Sequence, residues 1–240
     1  MTELPHHRAL LASVDWPSLE TALDDPLDAA LLAGMTDPDP AVQEEATDRM
    51  LGAVCHQNTV YGATPPVARY AAAILGELPD APRLRLLKWL GEAAHDADDE
   101  SADCELEWIT AEDDYPAFWE LRGLRPELFA AVRPFLTDAD PDVREAALVA
   151  ALPLSEHPDL ADLRPELAEH AERLLATSTD RFRRDRALEY LRAWGRDTAA
   201  LESAEDRAAE ERRARLRAER ERRDDERTAG GGGCFAEPPF

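Results

Sequence analysis

The chain has 240 residues, 32% of them charged, with a formal net charge of −24 and a pI near 4.5. A surface this negative is repelled by phosphate backbones and anionic membranes, which sets both aside as partners and favours a basic protein instead. Cys55, Cys104 and Cys234 are odd in number and lack C-x-x-C spacing, so no disulfide framework is expected.

Residues 1–14 lack a basic region followed by an apolar run, so they read as a disordered N-terminus rather than a secretory signal. Asp15 can cap a helix over Trp16–Leu23, and Asp25-Pro26 restarts a second helix that runs to about Met35. A phrase then appears that occurs twice. Thr36-Asp37-Pro38-Asp39-Pro40-Ala41-Val42 aligns without a gap against Thr137-Asp138-Ala139-Asp140-Pro141-Asp142-Val143. An aspartate cap, a proline at the first helical position and a branched apolar residue make a helix start, and its repetition predicts stacked helix pairs. After the first copy, Val42, Ala46, Met50 and Ala53 fall on one helical face.

Thr64-Pro65 opens the next helix, Val67–Leu78. The longest apolar stretch, Tyr70–Leu75, lies within it and is far short of the roughly 20 residues that span a bilayer. The chain is therefore expected to be soluble and cytoplasmic. Asp80 and Pro82 start a helix with Leu86, Trp89, Leu90 and Ala93 as its buried stripe, widened by Leu84 and Leu87. Periodicity breaks at residues 96–114, which hold ten acids and no base. A short aromatic helix follows at Tyr115–Leu121, then another at Pro126–Leu136. Val143, Ala146, Ala147, Ala150 and Leu154 form the next stripe, and a last pair spans Leu160–Leu175 and Arg181–Trp194. Phe182 in the last copy lacks the alanine four residues on that both Val42 and Val143 have.

Residues 202–227 carry ten acids against nine arginines, leaving −23 of the net charge to the rest of the chain. Leu216 is the only large apolar residue there, so a solvated helix is expected, braced by pairs such as Glu211 with Arg215. Residues 228–240, with four consecutive glycines, read as a flexible tail. No alternating strand pattern competes, and the fold class is all-α.

Candidate chemistry is sparse. Cys55-His56 pairs a thiol with an imidazole, but adjacent residues at a helix end rarely face each other, and no third orienting group is evident. A calcium-loop frame beginning at Asp96 would use Asp98, Glu100 and Glu107. It has Ser101 where the sharp turn needs glycine and Asp103 where such loops are apolar. His95, His157 and His170 have no ligand-spaced partners, and no metal set is expected from His6-His7 either. No cofactor is implied.

Asp15-Trp16-Pro17-Ser18-Leu19-Glu20-Thr21-Ala22, with Cys55-His56-Gln57-Asn58-Thr59-Val60-Tyr61-Gly62-Ala63-Thr64, resembles a group of short HEAT-repeat proteins of the PBS-lyase type from GC-rich bacteria. These pair an Asp-Trp near the start with a His-Gln-Gly-Thr-Val-Tyr-x-Ala-Thr turn between helices. The resemblance covers residues 15–95 by these motifs and extends to about 195 by generic patterning. It departs at Asn58, where the group has glycine, and at Arg69-Tyr70, where the group tends to have Pro-Phe. Asparagine and glycine both tolerate the positive φ that a helix C-terminus often needs. The resemblance implies a right-handed α-solenoid of HEAT-like helix pairs over residues 15–198, with an acidic insertion at 96–114.

The expected function is a non-enzymatic protein-binding scaffold for a basic partner, in the manner of an immunity or inhibitor protein. His56, Gln57, Asn58 and Tyr61 are the turn residues that would face such a partner. Asp98, Asp99, Glu100 and Asp103 would supply its electrostatic contacts. The competing class is a HEAT-like enzyme, glycosylase-like or bilin-lyase-like. Acidity and the lack of a catalytic constellation count against it.

Overall fold

A computed structural model of the chain describes residues 6–22, 26–54, 59–97 and 115–230. Among these residues it is all-helical, with ten α-helices joined by short 3-10 turns. Two units are distinguished, Met1–Arg196 and Asp197–Phe240.

The first unit holds α1 (His7–Ser13), α2 (Ala29–Gly34), α3 (Pro40–Val54), α4 (Thr64–Ile74), α5 (Asp80–Asp96), α6 (Pro116–Val132), α7 (Pro141–Leu154), α8 (Arg164–Thr177) and α9 (Arg181–Ala193). Helices adjacent in sequence pack as pairs: α2 with α3, α4 with α5, α6 with α7, and α8 with α9. In addition α3, α5, α7 and α9 each contact the next of that set, α4 packs on α6, and α1 packs on α4.

The repeated phrase is a repeated hydrogen-bond pattern. Asp37 Oδ1 accepts from Asp39 N at 2.8 Å, and Asp39 Oδ1 accepts from Ala41 N at 2.9 Å. In the second copy Asp138 Oδ1 accepts from Asp140 N at 2.9 Å, and Asp140 Oδ1 accepts from Asp142 N at 2.8 Å. A third, degenerate copy starts α9, where Ser178 Oγ accepts from Asp180 N and Asp180 Oδ1 accepts from Arg183 N. Each cap satisfies a backbone donor that the first helical turn leaves without an intrahelical partner. Asp140→Ala should therefore lower stability by about 1 kcal/mol in denaturant melts, with an unchanged m-value. A loss below a few tenths would remove the cap from the account.

The stripe expected after the second copy is buried in full, from Val143 through Leu154. The stripe after the first copy is not, because Val42 is 42% exposed while Val143 is 0% exposed. The difference follows from neighbours. α7 is covered by α5, α6, α8 and α9, whereas among the described residues α3 packs chiefly on α2 and, more lightly, on α5.

Four boundaries differ from the sequence reading. The N-terminal stretch expected to be disordered contains α1, whose His7 and Leu10 are buried. Leu10 is the one apolar side chain of α1 that is buried, and a single buried position cannot display a period. The helix expected over Trp16–Leu23 is a 3-10 turn, Trp16–Ser18, and the cap of α2 is Asp28, which accepts from Leu31 N at 2.7 Å. The two helices expected between Tyr115 and Leu136 are one, with Pro126 inside it. Burial of Phe118 and Leu121 before the proline and Leu128 and Val132 after it offsets the lost hydrogen bond.

α9 ends in a Schellman turn. Gly195 has φ +75, its N–H donates to Arg192 O at 2.9 Å, and Arg196 N–H donates to Leu191 O at 2.9 Å. Gly195→Val should cost on the order of 1–2 kcal/mol, read from the shift of the thermal midpoint. The corresponding expectation for Asn58 lies outside the described residues.

The second unit contains α10 (Ala204–Gly230). It opens with a reciprocal capping box, in which Ser203 N donates to Asp206 Oδ2 at 2.7 Å and Asp206 N donates to Ser203 Oγ at 3.1 Å. Glu210 reaches Arg213 and Arg217, which hold its carboxyl below the usual range, and Glu211 pairs with Arg215 at 3.6 Å. Leu216 is exposed.

Candidate functional site

α5 and α9 present matching stripes across α7. On α5 the residues are Leu84, Arg85, Lys88, Glu92, His95 and Asp96, spaced as one helical face. On α9 they are Phe182, Arg183, Arg186, Glu189 and Tyr190. Ala146 and Val149 of α7 floor the space between them, and their short side chains leave a pocket of about 280 Å³ bounded by Leu84, Lys88 and Phe182. Phe182 is 37% exposed, one of few large apolar side chains so open among the described residues. Two cations flank its ring, Lys88 Nζ at 5.7 Å and Arg186 Cζ at 5.6 Å from the centroid.

Every cation in this groove is matched by a carboxylate. Arg85 pairs with Asp48 of α3, Lys88 with Glu92 at 3.8 Å, and Arg186 with Glu189 at 2.9 Å. Arg183 takes both Asp142 and Glu145 of α7, at 2.9 and 2.8 Å, and these two anions hold its guanidinium proton despite burial. With Asp96 and Asp180 added, seven carboxylates stand against four cations, so the groove is net negative.

At one end the stripes join through a polar network. Arg186 Nη1 approaches His95 Nε2, and His95 Nδ1 lies 3.2 Å from Tyr190 Oη. A guanidinium can only donate, so Nε2 accepts and the ring proton sits on Nδ1, where it donates to the tyrosine oxygen. Both ring nitrogens are thereby engaged. The Tyr190 ring also lies 6.0 Å from that of Trp194, whose Nε1 donates to Glu156 at 2.8 Å. This arrangement locks α5 to α9 and fixes the side chains at the mouth of the groove.

Asp96 is the titrating member. Burial pushes its carboxyl up to about 6, opposed by the Arg186 charge and reinforced by Glu92. The folded chain thus holds this proton more tightly than the unfolded one. Stability from this group is present below about pH 4 and is lost as pH rises to about 6. Asp96→Asn should therefore raise stability at pH 7 by roughly 1 kcal/mol, allowing for solvent screening of a half-buried carboxylate, and leave it unchanged near pH 4. The difference between the two proteins' stability-pH curves reads this directly. An equal gain at both pH values would assign the effect to packing instead.

A larger hollow, about 450 Å³, lies where α7 meets α8. Arg144 at its edge is taken up by the carbonyls of Asp138 and Ala139, and burial lowers the pKa of His170 beside it.

The sequence-based site residues fall mostly elsewhere. His56, Gln57, Asn58, Asp98, Asp99, Glu100 and Asp103 lie outside the described residues, as do Cys55 and all of the calcium-loop frame beyond Asp96 and Ala97. Tyr61 is described and half-buried. Its backbone forms a closed turn with Thr64, each donating from N–H to the other at 2.9 Å. Ala63 N donates to Glu20 O at 2.9 Å, and Ala22 N donates to Ala53 O at 2.8 Å. A side chain at Gly62 would meet Glu20 Cβ at 3.3 Å. The two separated stretches that carry the family resemblance therefore meet in one joint. Sequence reasoning missed the α5–α9 groove, although the irregular Phe182-x-x-x-Arg186 spacing marked its place.

No family model, curated protein or solved structure matches the chain.

Proposed function

We propose that this chain is a non-enzymatic protein-binding module, built as a right-handed α-solenoid of HEAT-like helix pairs, whose ligand is a basic protein. The observation that carries this reading is the groove between α5 and α9, an apolar pocket under an exposed Phe182 with a surplus of carboxylates around it. The pairwise contacts of α2 to α9 and the three related caps support the repeat architecture. An apolar anchor set among charges is how protein interfaces concentrate their affinity. The overall charge of −24 adds long-range attraction for a cationic partner and repulsion for nucleic acid. No described helix is long and apolar enough to cross a membrane.

The test is capture of partners from the native host by the full chain at low and high salt. Basic proteins should be retained at low salt and lost as the Debye length shrinks to about 3 Å near 1 M. Phe182→Ser should weaken capture about tenfold or more through loss of the anchor. Replacing Asp98, Asp99, Glu100 and Asp103 with serine should weaken it mainly through slower association. Capture indifferent to salt and to both changes would overturn this reading.

A further inference from the structure

We propose that His6, His7 and Glu77 form a binding site for a divalent metal ion of the zinc type, which staples α1 to the end of α4. One donor atom from each of the three side chains lies within 4.8 Å of the other two. His6 is the N-cap of α1, its Nδ1 accepting from Arg8 N at 3.3 Å, which leaves Nε2 as its free donor atom for a metal, and its ring lies against that of His7. The two centroids are 4.4 Å apart and the planes are tilted by 31°. Glu77 closes the 3-10 turn Leu75–Glu77 that follows α4, the helix on which α1 packs.

The strongest sign is His7. It is 6% exposed, its Nδ1 is shielded from solvent, and that atom makes no hydrogen bond. Glu77 Oε1 lies 2.9 Å from it as an ion-pair partner without completing a hydrogen bond. Buried polar atoms in folded proteins are almost always satisfied, so an imidazole nitrogen aimed beside a carboxylate without such a bond needs another partner. A cation bound to both atoms supplies one. Zinc bonds to nitrogen and oxygen near 2.0 Å place neighbouring ligand atoms about 3.3 Å apart, close to the 2.9 Å between His7 Nδ1 and Glu77 Oε1. His7 is further held by the edge of the Tyr70 ring at 6.4 Å, and Tyr70 is anchored by its bond to Leu32 O at 2.7 Å. His6 is exposed and the Glu77 side chain is half exposed, so both can close the remaining distance.

Two imidazoles and one carboxylate suit zinc, nickel or copper rather than calcium or magnesium, which require sets of oxygen ligands. Three protein ligands leave a fourth position for water. Because α1 has only about two turns and buries little besides His7 and Leu10, the metal would supply order that packing alone gives weakly.

The test is calorimetric titration of the full chain with zinc chloride, in parallel with His6→Ala and Glu77→Gln, two variants whose exposed side chains keep folding out of question. One zinc per chain is expected, undisturbed by excess calcium or magnesium. Each variant should weaken it at least tenfold, since even outer-shell losses cost roughly 10–100-fold. Cobalt should give a visible absorption band in the parent chain that both variants lose. Zinc that binds equally well to both variants, zinc that calcium displaces, or no saturable binding would each overturn the site.

Discussion

Gly91→Ala should destabilise the fold by about 1–3 kcal/mol, whereas Gly123→Ala, also within a helix, should stabilise it by about 0.5–1 kcal/mol. Alanine is the better helix former at both positions, so propensity alone predicts the same sign. The neighbours decide otherwise. A Cβ at Gly91 would sit 2.9 Å from the Ala150 Cα and 3.3 Å from the backbone N of Ala150 and the Val149 carbonyl, while a Cβ at Gly123 meets nothing within 4 Å. Backbone cannot rotate aside as a side chain can, so α5 and α7 must separate to admit even one methyl group. These helices make the most extensive contact in the first unit, and Ala150 is fully buried there. Gly91→Leu should cost more, about 3 kcal/mol or beyond, and should also loosen the α5–α9 groove floored by α7. Parallel denaturant melts of the three variants check this. Equal signs for Gly91→Ala and Gly123→Ala would mean that α5 and α7 are not in backbone contact.

The same glycine shows where sequence reading stops. The local signals were legible because they act within one turn of helix: the Asp37, Asp39, Asp138 and Asp140 caps and the Val143 to Leu154 stripe need no distant partner to be recognised. Gly91 looks in isolation like a weak point of α5, and only its meeting with Ala150, 59 positions on, makes it a requirement. The groove is illegible for the same reason. Lys88 and Phe182 touch across α7, and nothing in the spacing of either helix announces the other. Pro126 misled in the opposite direction, since a residue that usually ends a helix was carried inside α6 by burial on both sides. His6 and His7 also acquire meaning only beside Glu77, which α4 brings back from 70 positions away. What the sequence did mark was a departure: arginine at position 186, where the earlier copies have alanine, is the side chain that reaches His95.

Trp16→Ala should be among the most damaging single changes, costing about 3–5 kcal/mol and lowering the thermal midpoint by roughly 10 °C or more. Trp16 is 1% exposed, its Nε1 donates to Leu11 O at 3.1 Å, and its ring meets the edge of Tyr70 at 6.4 Å. It ties α1, through Leu11, to α4, through Tyr70, four positions before the Glu20 carbonyl that accepts from Ala63 in the joint, so its loss opens a cavity between these two helices. The Asp-Trp and Tyr-x-Ala-Thr marks of the resemblance are then understood as two sides of one structural contact. Tyr61 separates this from a ligand-facing role, because Tyr61→Phe keeps the backbone turn with Thr64 and removes only the hydroxyl. Tyr61→Phe should leave the thermal midpoint within about 2 °C of the parent, as expected when little burial is lost. If the turn faces a partner, that variant loses capture while remaining folded; if the turn is only a joint, capture survives Tyr61→Phe and fails with Trp16→Ala through unfolding. A midpoint unchanged by Trp16→Ala would dismiss the joint altogether, since no buried indole with a bonded N–H can be removed without a cavity and an orphaned carbonyl.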